Sequence, residues 1–365
     1  LGDIKPIVVI CLDGCSWDYI DAANMPFLKS SSMNKYTCYS MVPTVTNINN
    51  ASILTGEFPE VHGIVGNYYY DKKTGTEKQT NSSSILKCKT LLEKATTEGK
   101  KPILITAKDK LRRLFESPHV ATISSEKPPH EIVEKVGRPP GIYTSEVNLW
   151  LLDVTNFVIQ RGYDLVYVST TDYVSHMYAP KTDEAKAYME KIDEKISKLI
   201  EMNAIFALTS DHGMNKKSLK VNLQRLLKDR GIDSLVIPII KDDYFVHHRN
   251  LGGAVYVYLR DGSLERAKDV LVDQDGVEAV LTSEEAHKEL MLPLEGIGDL
   301  LVLGTKDVVF GDASAGIEEE VNLRSHGSKH ESVAPAISNC ELEGIRYNKD
   351  VIPAIFRLHL PRRQA

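Results

Sequence analysis

Four short apolar runs punctuate the chain: PIVVICL at 6–12, PILIT at 102–106, DLVYVST at 164–170 and AIFALTS at 204–210. They are rich in Val and Ile and unbroken by polar alternation, the pattern of strands covered on both faces. Between the last two, in KTDEAKAYMEKIDEKISKLIEMN, the period changes: Ala185, Tyr188, Met189, Ile192, Ile196 and Leu199 recur at helical spacing, with charges on the other face. Strand, helix, strand predicts an α/β fold with a mostly parallel, doubly wound sheet. From about 242 to 310 the pattern shifts, and GGAVYVYL, SLERAKDVLVDQ and DLLVLGTKDVVFG read as a local βαβ-like unit. We expect 242–310 to be a smaller inserted cap subdomain, with 1–241 and 311–365 forming the core and SVAPAI returning to the main sheet. The irregular stretch 112–145, with SSEKPPHE and GRPPG, is a candidate lid segment within that core.

Composition narrows the chemistry. The 365 residues are 42% hydrophobic and 26% charged, ordinary globular material. A formal net charge of −6 argues against a general nucleic-acid binder, which needs a basic surface. A small anionic ligand stays compatible, its counter-charge coming from a few lysines or from metal ions. The five cysteines are odd in number and form no CxxC pair, so neither a disulfide framework nor a zinc ribbon is indicated. That usage suits a reducing cytoplasm, the expected location. No apolar stretch approaches the roughly 20 residues of a membrane span, and LGDIKP does not read as a secretion signal.

The groups able to do chemistry stand directly after the apolar runs. Asp13 comes after the first, Thr171 and Asp172 after the third, Asp211 and His212 after the fourth. Ligands of open parallel sheets bind at the carboxyl ends of strands, so these groups should converge. Asp172 and His176 are four apart, which puts both on one face of a helical turn, an arrangement suited to a divalent metal. Either His326 or His330 in RSHGSKHESVAPAI would complete a three-ligand set, and Asp211 and His212 can serve a second ion. Ligands rich in His and Asp suit Zn²⁺ best, with Mn²⁺ or Fe²⁺ also compatible. The remaining histidines His62, His247 and His248 read as turn or surface residues.

The stretch MVPTVTNINNASILTG, residues 41–56, gathers Thr and Asn at the mouth of an apolar helix. Thr46 or Asn47 can be read as an N-cap, or the helix mouth can be read as an anion site. Beside two cations, Thr46 could lose its proton and act as a nucleophile.

Taken together, LDG, PTVTNINNASILTGEFPEVHGIVGN, TTDYVSH, SDHGM and RSHG resemble the alkaline phosphatase superfamily over nearly the whole chain. Within it, PTVTNINN, ITAKDKLRRLF and SDHGMNKK are most similar to the phosphonoacetate hydrolases. The resemblance implies an alkaline-phosphatase-like core holding two Zn²⁺. Asp172, His176 and His326 would hold one, and Asp13, Asp211 and His212 the other, with Thr46 touching the latter as the catalytic nucleophile. His326 is preferred to His330 because it stands in the SHG motif, leaving His330 to line the pocket. Asn67 would hold phosphoryl oxygens, and Lys108 and Lys110 would grip the substrate carboxylate, sharing a side if the chain stays extended. The implied reaction is hydrolysis of the C–P bond of phosphonoacetate, a small anionic phosphonate, to acetate and phosphate through a phosphothreonine. Phosphodiesterase or phosphomonoesterase activity of the same superfamily is the alternative, and a non-catalytic phosphonate-binding protein a more distant one. No nucleic-acid or membrane partner is expected, and a homodimer is left open.

Overall fold

In chain order the strands are β1 (Ile7–Cys11), β2 (Asn34–Tyr39), β3 (Tyr68–Asp71), β4 (Thr76–Gln79), β5 (Pro102–Thr106), β6 (Ala121–Ser124), β7 (Leu165–Ser169), β8 (Ile205–Thr209), β9 (Asn215–Val221), β10 (Ser234–Pro238), β11 (Ala254–Leu259), β12 (Val277–Thr282), β13 (Leu300–Gly304), β14 (Val308–Phe310), β15 (Glu318–Ser325) and β16 (Val333–Ser338). They come from a computed structural model that describes residues 5–312 and 316–359. All four apolar runs form strands of one seven-stranded sheet, in the order β2-β16-β8-β1-β7-β5-β6. From β8 to β6 the neighbours are parallel, while β16 runs antiparallel to both β8 and β2.

Both faces of this sheet are covered, which is why its strands show no polar alternation. Ile7, Val9 and Cys11 of β1 pack on one face with Ile48, Ala51, Leu111 and Ile355 from helices. Val8 and Ile10 point the other way, into a second cluster with Tyr19, Leu151, Leu152 and Ile192. The charged, periodic segment forms the helix Asp183–Glu201, and its six apolar positions are buried as the spacing predicts.

The smaller sheets differ from the βαβ-like reading of their sequence. β10-β11-β13-β12 form a four-stranded sheet in which every neighbouring pair is antiparallel. The helix Leu264–Val272 does connect β11 to β12, but β13 inserts between them. Sequence periodicity shows that crossover and cannot show what is inserted into it. A three-stranded sheet, β14-β9-β15, and the hairpin β3-β4 complete the strands among the described residues. β6, which falls within the expected lid stretch, is the edge of the main sheet. No described helix is long and apolar enough to cross a membrane, and all five cysteines are free.

Candidate functional site

Strand register decides what meets. Cys11 of β1 pairs with Ser169 of β7 on one side and Thr209 of β8 on the other, so the three strands end at one level. The residues just beyond them, Asp13, Asp172, Asp211 and His212, therefore emerge side by side, all buried. Gly14 permits the tight turn after Asp13: its φ is +70°, and a Cβ there would lie 2.5 Å from Ser175 Oγ.

Two groups of ligand-type side chains form, Asp172 with His176 and His326, and Asp13 with Asp211 and His212. Within each group the ligand-type atoms lie within 4.8 Å of one another. The i, i+4 spacing puts both groups on one face: Asp172 stands at the cap position of the short helix Tyr173–Met177, without a side-chain cap bond, and His176 Nε2 lies 3.0 Å from Asp172 Oδ2. His326 reaches the same carboxylate oxygen at 3.5 Å. The His212 and His326 rings stack at 3.6 Å between centroids, joining the two groups.

The imidazoles are set in one tautomer. Nδ1 of His176 donates to the Arg324 carbonyl at 2.7 Å, that of His326 to the Thr44 carbonyl at 2.7 Å, and that of His212 to the Gly213 carbonyl at 2.9 Å. In the neutral ring each Nε2 then turns its lone pair toward the carboxylates. Such an array is self-repelling on its own and suits a cation, and a backbone carbonyl on the far nitrogen is the usual outer support of a metal-binding histidine.

The carboxylates tell the same story. Neither oxygen of Asp13 has a hydrogen-bond partner among the described residues; His212 Nε2 lies 3.4 Å from one of them and the Lys108 ammonium 3.6 Å from the other. Burial, with the charges of Asp172 and Asp211, pushes Asp13 well above the ordinary carboxylate range. Burial also pushes Asp211 up to about 6. For Asp172 burial is outweighed above all by the Lys108 ammonium, which holds it well below its usual value. Three carboxylates and three imidazole nitrogens in one buried volume fit two divalent cations.

Thr46 is the first residue of the helix Thr46–Thr55, all of whose residues are buried. Val45 occupies the cap position with no side-chain cap bond, so Thr46 and Asn47 are not caps, contrary to one of the two sequence readings. The Thr46 hydroxyl instead lies 3.4 Å from His212 Nε2. The asparagines serve separate purposes. Asn47 donates to the Thr80 carbonyl at 2.8 Å, Asn49 ties the Met41 backbone to the helix, and Asn50 reaches Asp211 at 3.5 Å while accepting from Tyr167.

Lys108 and Lys110 are each only 4% exposed, far from the solvated pair that lysines after a strand usually form. The chain does not stay extended here: Lys108 immediately precedes the helix Asp109–Leu114 and Lys110 lies inside it. Both still reach the site. Lys108 Nζ donates to Asp172 Oδ1 at 3.1 Å, and Lys110 donates to Asp242. Burial would lower Lys108, but Asp172, Asp13 and Asp242 hold it above its usual value. For Lys110 burial prevails and its value falls. Asn67 is buried beside them, donating to Asp242 Oδ2 at 3.1 Å.

His330 is not brought to this cluster. Its Nε2 faces Glu278 at 2.5 Å on the protein surface, because the short 3-10 turn Lys329–Glu331 carries it away from His326. The expectation that His62, His247 and His248 are turn or surface residues is corrected: all are buried. His62 Nε2 bonds Ser52 Oγ at 2.9 Å, inside the packing of the Thr46–Thr55 helix. His247 Nε2 approaches Asp172 Oδ1 at 3.2 Å without hydrogen-bond alignment, and His248 donates to Asp242 at 2.8 Å. The segment DDYFVHHRN thus adds Asp242, His247 and His248 to the site. Its density of Asp and His was the available signal, masked by its place in the expected insertion.

Residues 7–329 match the family model for type I phosphodiesterase / nucleotide pyrophosphatase. A pyrophosphatase/phosphodiesterase of Schizosaccharomyces pombe is 26% identical over 230 residues, 57% of this chain and 44% of that protein. The venom phosphodiesterase of Naja atra is 23% identical over 285 residues, 75% of this chain and 31% of that protein. The chain thus spans less than half the length of these relatives. Crystal structures of phosphonoacetate hydrolase from Sinorhizobium meliloti, with phosphonoformate and with phosphonoacetate, superpose with a TM-score of 0.86 at 32% and 33% identity, covering 95% of this chain and 94% of theirs. With its mostly parallel sheet and its two buried His/Asp groups, the chain belongs to the type I phosphodiesterase / nucleotide pyrophosphatase family of hydrolases, within the alkaline phosphatase superfamily.

Proposed function

We propose that this protein hydrolyses the C–P bond of phosphonoacetate, with Thr46 as nucleophile. The observation that carries this reading is the pair of buried ammonium groups, Lys108 and Lys110, beside the His/Asp groups. Lys108 already faces Asp172 and Asp13, and Lys110 faces Asp242, but each ammonium has three donors, so the two together can also receive a second anionic end on the substrate. The similarity to the Sinorhizobium meliloti enzyme solved with phosphonoacetate supports the same reading.

Asp172, His176 and His326 would hold one divalent metal, and Asp13, Asp211 and His212 a second, with Thr46 beside the latter; Zn²⁺ suits these donors best. Bound there, such ions supply Lewis acidity to phosphoryl oxygens and lower the pKa of a neighbouring hydroxyl. Thr46 Oγ1, as the alkoxide, attacks phosphorus and forms the P–O bond of a phosphothreonine. The C–P bond breaks and its electron pair passes to the methylene carbon, where the adjacent carboxylate takes it up as an enolate. Lys108 and Lys110 place positive charge where that enolate develops, the kind of stabilisation that usually dominates catalysis. Asn67 orients the phosphoryl oxygens. The Thr46 proton passes to solvent and the enolate carbon takes one up from solvent to complete acetate; water then adds its oxygen to phosphorus and cleaves the phosphothreonine P–O bond, releasing phosphate and returning a proton to Thr46.

The test compares kcat/KM for phosphonoacetate and for an aryl phosphate ester in Lys108→Ala and Lys110→Ala. A charge-assisted hydrogen bond is worth about 1.5–3 kcal/mol, so each loss should cost roughly tenfold to a hundredfold on phosphonoacetate and much less on the ester. Equal losses on both would assign the lysines to the phosphoryl group or the fold.

A second reading, phosphodiesterase activity, is favoured by one feature. The rings of Tyr143 and Tyr173 gather around His247, at 5.6 and 6.4 Å between centroids, and could face a nucleoside base. A wild-type preference for an aryl phosphodiester over phosphonoacetate in the same assays would select it.

A further inference from the structure

Asp242 has no part in the proposed reaction, yet it is buried and bonded directly to Lys110. Its carboxylate is held from three other directions. Asn67 Nδ2 donates to Oδ2 at 3.1 Å, while His248 Nε2 and the Tyr244 N–H each donate to Oδ1 at 2.8 Å. His248 is itself oriented, because the Asn250 N–H donates to its Nδ1 at 2.9 Å and leaves the proton on Nε2. Asn250 Oδ1 in turn accepts from the Asp242 N–H at 3.1 Å, closing the loop on itself. The carboxylate has no freedom to turn.

A lysine ammonium is a point charge on a flexible four-carbon stem, and ordering that stem costs side-chain entropy. An immobile carboxylate removes much of that cost before any substrate arrives. Lys110 then needs only a free N–H to receive a second anion, since its ammonium has three donors. Asn67 shares Oδ2 of the same carboxylate, so the two donors diverge from a single fixed atom.

We propose that Asp242 is a positioning residue that fixes Lys110, and with it Asn67, so that the carboxyl and phosphoryl ends of the substrate are registered at a set separation before Thr46. The proposal rests on the reading of Lys110 as the partner of the substrate carboxylate. Its signature is discrimination: both substrates share what Asn67 contributes at the phosphoryl end, whereas only a substrate with a second anion gains from a fixed Lys110.

The experiment uses the metal-loaded protein and four variants: Asp242→Asn, Asp242→Glu, Lys110→Ala, and Asp242→Asn combined with Lys110→Ala. For each, kcat and KM are measured on phosphonoacetate and on p-nitrophenyl phosphate. Asp242→Asn should lower the ratio of the two kcat/KM values by about tenfold or more, mostly through kcat, because the ammonium is still present but no longer held. Asp242→Glu should recover part of that loss. In the Lys110→Ala background the added Asp242→Asn change should move the ratio by less than about threefold, since its route is gone. An unchanged ratio in Asp242→Asn, or full additivity in the double variant, overturns the proposal. If the wild type does not hydrolyse phosphonoacetate, the proposed reaction itself fails. The same cycle is then read as calorimetric affinity for phosphonoacetate: weakening by Asp242→Asn that vanishes without Lys110 upholds the positioning role, and unchanged affinity overturns it.

Discussion

Thr46 Oγ1 stands 3.4 Å from His212 Nε2 at the start of a helix whose every residue is buried, so its hydroxyl has few alternatives to the site. As the proposed nucleophile, its removal in Thr46→Ala should lower turnover by on the order of 10³ or more while metal content is retained, and Thr46→Ser should keep part of the activity. Steady-state rates with metal analysis of each variant decide this, and undiminished turnover in Thr46→Ala would move the nucleophile elsewhere. A second residue prediction concerns His62. Its Nδ1 accepts from the Ile64 N–H at 3.1 Å and its Nε2 donates to Ser52, so both nitrogens are committed to the neutral ring. Burial lowers its pKa to about 3. With the folded value below the unfolded one, about 6.5, its contribution is complete above pH 6.5 and is lost as pH falls toward 3. The slope can reach about 1.4 kcal/mol per pH unit. Thermal melts from pH 7 to pH 4 should show a flatter acid limb for His62→Gln than for the wild type.

At the scale of elements, the loop carrying His326 is tied to the loop carrying His212 by a fully buried ion pair. Lys217 of β9 meets Glu331 at 2.9 Å, with neither side chain exposed. Glu331 also receives the Ser328 N–H at 3.0 Å and Asn215 at 2.7 Å, while its carbonyl accepts from Gly213 at 2.7 Å. Removing one partner of such a pair strands a buried charge, at a cost of about 3–5 kcal/mol. Lys217→Met should therefore show that loss in urea unfolding, and an ion held by Asp172, His176 and His326 as proposed would be released more readily than in the wild type. A stability change below about 1 kcal/mol would mean that the loop hydrogen bonds suffice without the pair.

At the scale of the whole molecule, the site joins all the major parts. The main sheet supplies Asp13, Asp172 and Asp211 from its strand ends, His326 comes directly after β15, and Asp242 lies between β10 and β11. Ions held there would bind the folded chain and not the unfolded one, so stability should depend on them. Exhaustive chelation should lower Tm, and added Zn²⁺ should restore it with about two equivalents bound. At a free-metal concentration a hundredfold above Kd, each site would add about 2.7 kcal/mol. Saturation at one equivalent, or a Tm indifferent to chelation, would sink the two-site reading.

The α/β class, the four parallel core strands and the periodic helix were legible because local pattern determines them: apolar runs without alternation make doubly covered strands, and spacing of 3.6 makes an amphipathic helix. The strand-end carboxylates and the Asp172–His176 turn were legible for the same reason. The features that required tertiary structure involve partners distant in sequence. The separation of His326 from His330 depends on one 3-10 turn and on Glu278 in another sheet. The insertion of β13 between β11 and β12 is a pairing choice that no local period encodes. Lys108 and Lys110 look like solvated lysines until Asp172 and Asp242 are brought to them from 64 and 132 residues away. Residue type and local spacing show which groups are able to do chemistry, but the burial and neighbouring charges that make them do it exist only once the chain has closed around them.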